Sequence, residues 1–234
     1  MAVTVTWYGH GTFGIEADDK HVIVDPFFTG NPAVPESVKV DDLNPNTILI
    51  THAHNDHIGD VVAIAKRSGA KVVTLNEIAG VLKKKGLEDV EGGNFGGTIK
   101  FDGGSAKIVP AWHSSSYNDD DGSVVAHGIP SGLVVRIGGK TLYFAGDTGL
   151  FGDMALIGEE GLDLAVLPIG DYFTMGPDDA VRAAKLLKAK YVMPGHYNTF
   201  PLLEQDGDKF KADVEAATSS KCIILKPGES SEID

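Results

Sequence analysis

The chain opens with segments in which apolar and polar residues alternate. Residues 3–7 and 12–16 follow this period of two, and residues 21–25 contain the apolar run Val22-Ile23-Val24; both patterns are typical of strands. The segments are separated by Gly9-His10-Gly11 and by residues 17–20, both of which have turn-forming composition. We therefore predict a meander of three strands at the start of the fold.

After residue 46 the pattern changes to apolar runs of strand length that alternate with longer runs of helical period. This predicts strands at residues 48–50 and 71–74 and helices at residues 61–67 and 77–85, which end near Gly69 and Gly86. Strands that alternate with helices pair in parallel, and the helices cover the sheet. The sequence therefore predicts an α/β protein.

The same pattern continues to the end of the chain. Further strands are predicted at residues 98–101, 106–111, 132–137, 140–145, 162–167, 191–193 and 222–225, and helices at residues 178–187 and 206–217. Gly138-Gly139 has the composition of a two-residue hairpin turn. The glycine-rich residues 92–97 lack the Lys-Ser/Thr ending and the following helix of a phosphate-binding loop, so we predict a second hairpin turn there.

Two loops divide this pattern. Residues 27–46 are rich in turn formers, and they form either a lid over a site, with Phe27 and Phe28 as an apolar wall, or an ordinary surface loop. Residues 114–122 form a polar loop with three consecutive aspartates. We predict a single domain over residues 1–234, with two similar halves of about residues 1–122 and 123–234.

Composition limits the kinds of partner. The net charge of −13 and the isoelectric point near 4.9 oppose binding to a polyanion, so we expect no nucleic acid partner. No stretch is apolar enough to span a membrane, no secretory leader is evident, and the single Cys222 excludes an internal disulfide. We expect a cytoplasmic protein that acts on a small molecule without a membrane partner, and we leave a homo-oligomer open.

One turn concentrates residues that bind metals. After the strand at residues 48–50 the chain reads Thr51-His52-Ala53-His54-Asn55-Asp56-His57. Alternate residues of an extended segment face the same side, so His52 and His54 can share one cation. Asp56 and His57 follow where a helix begins and can serve a second cation. Chance clustering or helix capping is the other interpretation, but three of the eight histidines of the chain fall within six positions here.

Three further candidates each follow a predicted strand: His113, Asp147 and His196. Ligands collect beyond strand ends in α/β sheets, so we expect these side chains to converge on one cleft with the residues 51–57.

The segment T-H-A-H-N-D-H-I-G-D at residues 51–60 resembles the H-x-H-x-D-H signature of the metallo-β-lactamase superfamily, a set of binuclear metal hydrolases. The resemblance implies a four-layer αββα sandwich of two mixed β-sheets. It spans nearly the whole chain, because His113, Asp147 and His196 stand in the order of the remaining ligands of the family. The segments W-Y-G-H-G-T-F, L-P-I-G-D-Y-F-T-M-G-P and P-G-H-Y-N-T-F-P look like a narrower branch. That branch consists of small metal-dependent hydrolases related to ascorbate-6-phosphate lactonases and, more distantly, to phospholipase D-type enzymes that act on N-acyl phosphatidylethanolamine.

The resemblance also implies how the ligands divide. One metal takes His52, His54 and His113, the other takes Asp56, His57 and His196, and Asp147 bridges them. Nitrogen and oxygen ligands suit zinc or manganese, and iron is also compatible. A hydroxide between the two ions, oriented by Asp56, is the expected nucleophile on a small ester, lactone or phosphodiester.

Other residues are expected beside the ligands. His10 lies between two glycines, and Asp25 ends a strand; by resemblance Asp25 orients metal ligands, although it also suits a turn before Pro26. For His10, a hydrogen bond to the backbone alone is the alternative. Hydroxyls that line a substrate pocket are expected from Tyr172, Thr174, Tyr197 and Thr199, unless the aromatic rings only pack under the site. The sequence leaves open whether His127 lines the cleft, and His21 is interpreted as structural.

Two other classes of function share this fold. An iron-dependent oxidoreductase or dioxygenase is one, but the flavodiiron pattern resembles H-x-E-x-D-H, and His54 stands in the place of its glutamate. A non-catalytic metal-binding protein is the other, but such relatives lose ligands, and here all seven positions are filled. Hydrolysis is therefore the preferred prediction.

Overall fold

The alternating segments at the start of the chain form three antiparallel strands, as predicted. In the computed structural model, which describes residues 2–118 and 122–234, they are β1 (Val3–Gly9), β2 (Thr12–Ala17) and β3 (Lys20–Val24). The strands β4 (Thr47–Leu49), β5 (Lys71–Leu75) and β6 (Val90–Gly93) follow in parallel. The last strand, β16 (Ser230–Ile233), pairs with β1, which gives the order β16-β1-β2-β3-β4-β5-β6.

The second sheet also has seven strands. It consists of β7 (Thr98–Phe101), β8 (Gly104–Pro110), β11 (Ser131–Ile137), β12 (Lys140–Phe144), β13 (Leu164–Pro168), β14 (Tyr191–Gly195) and β15 (Lys221–Cys222), in the order β15-β14-β13-β12-β11-β8-β7. The pairing of Ile137 with Lys140 confirms the hairpin across Gly138-Gly139. Apart from these two sheets, β9 (Ser116–Asn118) pairs antiparallel with β10 (Val124–Ala126).

Six α-helices accompany the strands in the described residues, and several of them begin or end at residues with local capping signals. They are α1 (Asn55–Ile58), α2 (Val61–Ser68), α3 (Asn76–Lys84), α4 (Met154–Gly158), α5 (Pro177–Leu187) and α6 (Gly207–Ala217). Gly69 ends α2 in the left-handed conformation, Pro177 begins α5, and the Asp206 side chain accepts a hydrogen bond from the Lys209 N–H at the start of α6. Among the described residues, no helix is long and apolar enough to cross a membrane.

The two sheets pack face to face, with helices on their outer surfaces. α3 packs on β5 and β6, whereas α5 and α6 pack on β13 and β15. Between the sheets the rings of Phe13 and Phe144 lie 5.8 Å apart, and both are buried. Burial of each such ring contributes about 1.5–3 kcal/mol. This is the predicted αββα sandwich of two mixed sheets.

The structure corrects the prediction for residues 92–97. They do not form a hairpin, because β6 belongs to the first sheet and β7 to the second. The change of sheet therefore lies between Gly93 and Thr98, ahead of the division near residue 122, and the single-domain assignment stays a prediction. The polar loop at residues 114–122 contains β9, and its residues 119–121 lie outside the described residues. The helix α4 and the strands β6, β9, β10 and β16 were not predicted.

Candidate metal centre

The histidine and aspartate side chains singled out in the sequence come together where strands of both sheets end. Residues 51–57 follow β4 and enter α1, His113 follows β8, Asp147 follows β12, and His196 follows β14. Strands that run in the same direction end at one edge of a sheet. Residues that follow these strands therefore lie close together, although they are far apart in the chain.

A first group consists of His52, His54, His113 and Asp147, whose ligand atoms all lie within 4.8 Å of one another. The Nε2 atom of His52 lies 3.0 Å from Nδ1 of His54, and Nε2 of His113 lies 3.5 Å from Oδ2 of Asp147. The alternation of His52 and His54 thus brings both rings to the same side, as predicted.

A second group consists of His10, Asp56, His57 and His196, again with ligand atoms within 4.8 Å of one another. Asp147 also reaches this group: its Oδ1 lies 3.3 Å from Nε2 of His57, and its Oδ2 lies 3.0 Å from Nε2 of His196. The carboxylate of Asp147 therefore lies between the two groups.

The spacing and the bonding of these atoms suit metal ions. Two nitrogens bound to one tetrahedral zinc at 2.0–2.1 Å stand roughly 3.3 Å apart, close to the separations of 3.0–3.5 Å given above. Among the described residues, Nε2 of His57 and both ring nitrogens of His196 are buried without a hydrogen bond of acceptable geometry. Buried polar atoms are rarely left in this state. A cavity of about 20 Å³ adjoins His57, Asp147 and His196, which is room for about one water-sized species.

Asp25 is hydrogen-bonded to two residues of the central motif, Thr51 and His57. Its Oδ1 accepts a hydrogen bond from the Thr51 N–H at 2.8 Å, and its Oδ2 accepts one from the Thr51 hydroxyl at 2.6 Å. The same Oδ2 lies 2.9 Å from Nδ1 of His57. Since a carboxylate only accepts, Nδ1 of His57 carries a proton, and Nε2 is the ring nitrogen that faces Asp147. Asp25 therefore lies where the resemblance implied, with the geometry that orients His57.

His10 is buried in a second such chain of hydrogen bonds. Its Nε2 lies 2.9 Å from Oδ2 of Asp56, and its Nδ1 lies 2.9 Å from the Thr199 hydroxyl. Because the carboxylate of Asp56 accepts, Nε2 donates, and Nδ1 accepts from Thr199. The His10 carbonyl is also occupied, by the indole N–H of Trp7 and by the His196 N–H, both at 2.9 Å. The structure thus brings His10 to the site.

Backbone strain is concentrated around these residues. In the described part of the chain, six of the eight non-glycine residues with positive φ lie on loops of the site: His10, Asp25, Asp171, Tyr172, His196 and Asn198. The backbone conformation of each such residue costs about 1–3 kcal/mol and persists only where the surrounding structure holds it in place. The packing beside His10 is close: a Cβ atom at Gly11 would lie 2.6 Å from Cε1 of His57, so only glycine fits beside that ring.

Burial and charge act against each other in the cluster. Burial lowers the pKa of His52 well below its usual value, and burial with the nearby His196 lowers the pKa of His10 to about 4. Burial opposes the charged forms of Asp147 and His57 as well. Even so, the adjacent histidines lower the pKa of Asp147, and Asp147 with Asp25 raises the pKa of His57. Positive charge is thus favoured beside Asp147, which is where a cation would lie.

The four residues predicted to line the substrate pocket occupy different positions relative to the site. Thr199 contacts His10, Tyr172 is exposed on the loop after β13, and the Thr174 hydroxyl donates to the Met175 carbonyl. Tyr197 is a correction: its buried ring stacks on Trp7 with centroids 5.1 Å apart, and its hydroxyl faces Gly207. It packs beneath the site and does not line the cleft, because His196 and Tyr197 are consecutive and face different ways.

The loop at residues 27–46 contributes one side chain beside the cluster. The ring of Phe27 lies 5.6 Å from that of His10, whereas Phe28 is buried against Tyr8. The apolar wall is therefore Phe27 alone. Sequence analysis missed Asp60, which accepts hydrogen bonds from the Phe28 N–H at 2.7 Å and from the Thr29 N–H at 2.9 Å. The position of Asp60 as the last residue of the motif at residues 51–60 was the one sequence feature that pointed to it.

His127 does not belong to either group of ligand atoms described above. Its N–H donates to the Ser115 carbonyl, and its own carbonyl accepts from the Ser115 hydroxyl at 3.0 Å. That hydroxyl also accepts from the Ala53 N–H at 3.1 Å. The backbone of His127 thus helps to hold the turn between His52 and His54. His21 is exposed on β3, away from the cluster.

Comparison with known proteins adds the family to this geometry. The profile of the beta-lactamase superfamily domain matches residues 20–197. A protein named UPF0173 metal-dependent hydrolase, from Pelotomaculum thermopropionicum, is 50% identical over 230 residues, which cover 98% of this chain and 99% of the relative. A protein of the same name from Ligilactobacillus salivarius is 48% identical over 226 residues, which cover 96% of this chain and 99% of the relative.

Among solved structures, Igni18, described as a novel metallo hydrolase from the archaeon Ignicoccus hospitalis, superposes with a TM-score of 0.89. It is 38% identical in sequence, and the alignment covers 100% of this chain and 99% of Igni18. Both the sequence and the fold of this chain are thus similar to those of metal-dependent hydrolases over their full lengths.

Proposed function

The chain belongs to the UPF0173 family of metal-dependent hydrolases within the beta-lactamase superfamily, and on that premise we propose that it is a binuclear hydrolase of small esters, lactones or phosphodiesters. The observation that supports two ions is the position of one buried carboxylate, Asp147. It lies 3.5 Å from His113 of the first group and 3.0 Å from His196 of the second. A carboxylate shared in this way suits two cations about 3.5–4 Å apart.

Each group would hold one ion. His52, His54 and His113 form the first set, and Asp56, His57 and His196 form the second, with Asp147 common to both. Two divalent cations bound there would lower the pKa of a water molecule, polarise the oxygen under attack and offset the charge that develops on it. The ligands are nitrogen and oxygen atoms, which suit zinc, manganese or iron.

The chain itself supplies the orientation. The side chain of Asp56 is 37% exposed, so it faces the mouth of the site, and its Oδ2 accepts the hydrogen bond from Nε2 of His10. This leaves Oδ1 to accept a hydrogen bond from the attacking water and to direct the water lone pair at the substrate. Thr199 donates to Nδ1 of His10 and keeps the proton of that ring on Nε2. Asp25 acts on the other nitrogen of His57: it accepts from Nδ1, which leaves Nε2 of that ring as the atom for an ion.

The substrate is proposed to be a small molecule. The net charge of −13 repels long polyanions, so RNA and DNA should be poor substrates. An iron-dependent oxidation would use the same ligands, and it is distinguished by whether turnover consumes oxygen.

Metal content tests the proposal directly. The protein is freed of metal with a chelator, reloaded with zinc or manganese, and analysed for bound metal and for hydrolysis of a panel of aryl esters, lactones and aryl phosphodiesters. The wild type should hold about two ions per chain. Asp147→Ala should lose ions from both positions, because its carboxylate reaches both groups, whereas His113→Ala should keep about one.

The outcomes separate the alternatives. Binding of no more than one ion at saturation, or equal loss from Asp147→Ala and His113→Ala in folded protein, would contradict the assignment of two sites. Oxygen uptake by the iron-loaded protein would favour oxidation, and full metal occupancy without turnover of any member of the panel would favour a binding protein. Circular dichroism shows whether each variant is folded.

A further inference from the structure

Large apolar side chains are exposed on loops that adjoin the residues of the candidate metal centre. In the described part of the chain four aromatic side chains stand out in the solvent, with exposed fractions of 70%, 68%, 55% and 39%: Trp112, Tyr172, Phe173 and Phe200. We call these four residues the aromatic rim. Each lies on a loop that also carries, or is bonded to, a residue of the site. Exposed apolar surface gathered at one place usually marks a binding surface.

Backbone hydrogen bonds tie two of these loops to the residue after Asp147. The Trp112 N–H donates to the Thr148 hydroxyl at 2.9 Å, and the Met175 N–H donates to the Thr148 carbonyl at 2.9 Å. Trp112 directly precedes His113, and Tyr172 and Phe173 directly precede the turn at Met175. The fold thus attaches three members of the rim to the same strand end as the bridging carboxylate.

Phe200 joins the rim from the other side. Its ring lies 5.7 Å from the ring of His10 in an edge-on arrangement, and His10 contacts Asp56. Its loop adjoins the loop of Tyr172, because a Cβ atom at Gly170 would lie within 2.2 Å of the His196 carbonyl oxygen. Phe200 and the loop of Tyr172 therefore both lie next to residues of the ligand cluster.

The loop of Tyr172 has a strained backbone. Asp171 has φ of 61° and Tyr172 has φ of 25°, a region that bulky residues rarely adopt. The rings of Tyr172 and Phe173 lie 4.7 Å apart at 77° to each other and remain in solvent. Exposed rings bury little apolar surface in the fold, so stability does not account for this strained arrangement.

We infer that the aromatic rim binds an aryl or alkyl group of the substrate while the ester, lactone or phosphodiester lies at the His and Asp cluster. This rests on the proposed function and narrows its substrate class to molecules with an apolar arm. The rim members Trp112, Phe173 and Phe200 carry no charge, and Tyr172 adds only a hydroxyl. A second copy of the chain seated on the rim would cover the mouth at which Asp56 is exposed, so we favour the substrate as the occupant.

A pair of phosphonates tests the inference without turnover. Methylphosphonate and benzylphosphonate share the anionic head, and only the second has an apolar arm. Isothermal titration calorimetry on zinc-loaded protein should show about tenfold tighter binding of benzylphosphonate, because partial burial of a phenyl ring is worth on the order of 1.4 kcal/mol. Benzylphosphonate should also shift the fluorescence of the exposed Trp112, and Trp112→Phe should reduce that shift, since Trp7 is buried.

Variants of the rim test whether it causes the preference for benzylphosphonate. In Trp112→Ala/Phe173→Ala the preference for benzylphosphonate should fall to within about twofold, while the affinity for methylphosphonate is kept. Leu156→Ala is the matched control, because Leu156 is a 62% exposed apolar side chain on α4, and it should keep the full preference.

Several results would overturn the inference. They are equal binding of the two phosphonates, no measurable binding of either, an unchanged preference in the double variant, or dissociation of a wild-type oligomer by the double variant without any benzyl preference. The metal count of each sample keeps the two proposals apart. Two ions with hydrolysis of small polar esters but no benzyl preference would reject only the inference, whereas failure to bind metal would reject the proposed function.

Discussion

The most specific structural prediction concerns Asp25→Asn, which changes one atom of a buried side chain. The carboxylate of Asp25 accepts two hydrogen bonds from Thr51 and faces Nδ1 of His57 at 2.9 Å. An asparagine can keep the bond from the Thr51 N–H through its carbonyl. Its NH₂ group then faces Nδ1 of His57 and donates to it.

This exchange reverses the tautomer of His57. When Nδ1 accepts a hydrogen bond, the ring proton moves to Nε2, the atom that lies 3.3 Å from Asp147. A protonated Nε2 cannot ligate a metal. Loss of an orienting partner behind a ligating histidine typically lowers metal affinity about 10–100-fold, or about 1.4–2.7 kcal/mol. We expect a loss in this range at the position that His57 serves.

Competition with a chromophoric chelator measures the effect. Metal-free wild type and Asp25→Asn are titrated with zinc, and both are compared with Asp19→Asn, which removes a charge from an exposed side chain. The control should match the wild type. A folded Asp25→Asn protein whose zinc affinities stay within about threefold of the wild type would refute the orienting role of Asp25.

Two further predictions concern neighbouring parts of the site. Asp60→Ala should lower the free energy of unfolding by about 2–4 kcal/mol, because the N–H groups of Phe28 and Thr29 lose a charged acceptor; a loss below about 1 kcal/mol in urea denaturation would contradict this. Tyr197→Phe should keep kcat/KM within about twofold on the best substrate, since its hydroxyl faces Gly207. A tenfold fall in kcat/KM would instead show that the Tyr197 hydroxyl takes part in the substrate pocket.

The sequence carried enough local information to predict most strands and helices and the residues that cluster at the site. The period of two in β1 and β2, the apolar run of β3 and the order of strand and helix around residues 47–84 are local properties. The positions of His52 and His54 on one side of an extended segment, and of His113, Asp147 and His196 after strands, follow from the same periodicity. Convergence on one edge then follows from the general topology of α/β sheets.

Tertiary structure decided the features whose partners lie far away in the chain. The glycine-rich residues 92–97 have the same local preferences in a hairpin as in a crossing between sheets, and only the packing of β6 and β7 in different sheets separates the two. The strand β16 is short and has one buried residue, Ile233, so its pairing with β1 leaves no periodic signal.

The surroundings of the ligands depend on tertiary structure in the same way. The bond between His10 and Thr199 joins residues 189 positions apart, and the direction of Tyr197 is set by Trp7 and α6. Thr148 likewise accepts hydrogen bonds from Trp112 and Met175, which lie on loops far apart in the chain. Local sequence determines which residues follow a strand, since that depends on backbone periodicity. Which way each side chain then turns, and what it meets, depends on non-local packing, which no short segment of sequence encodes.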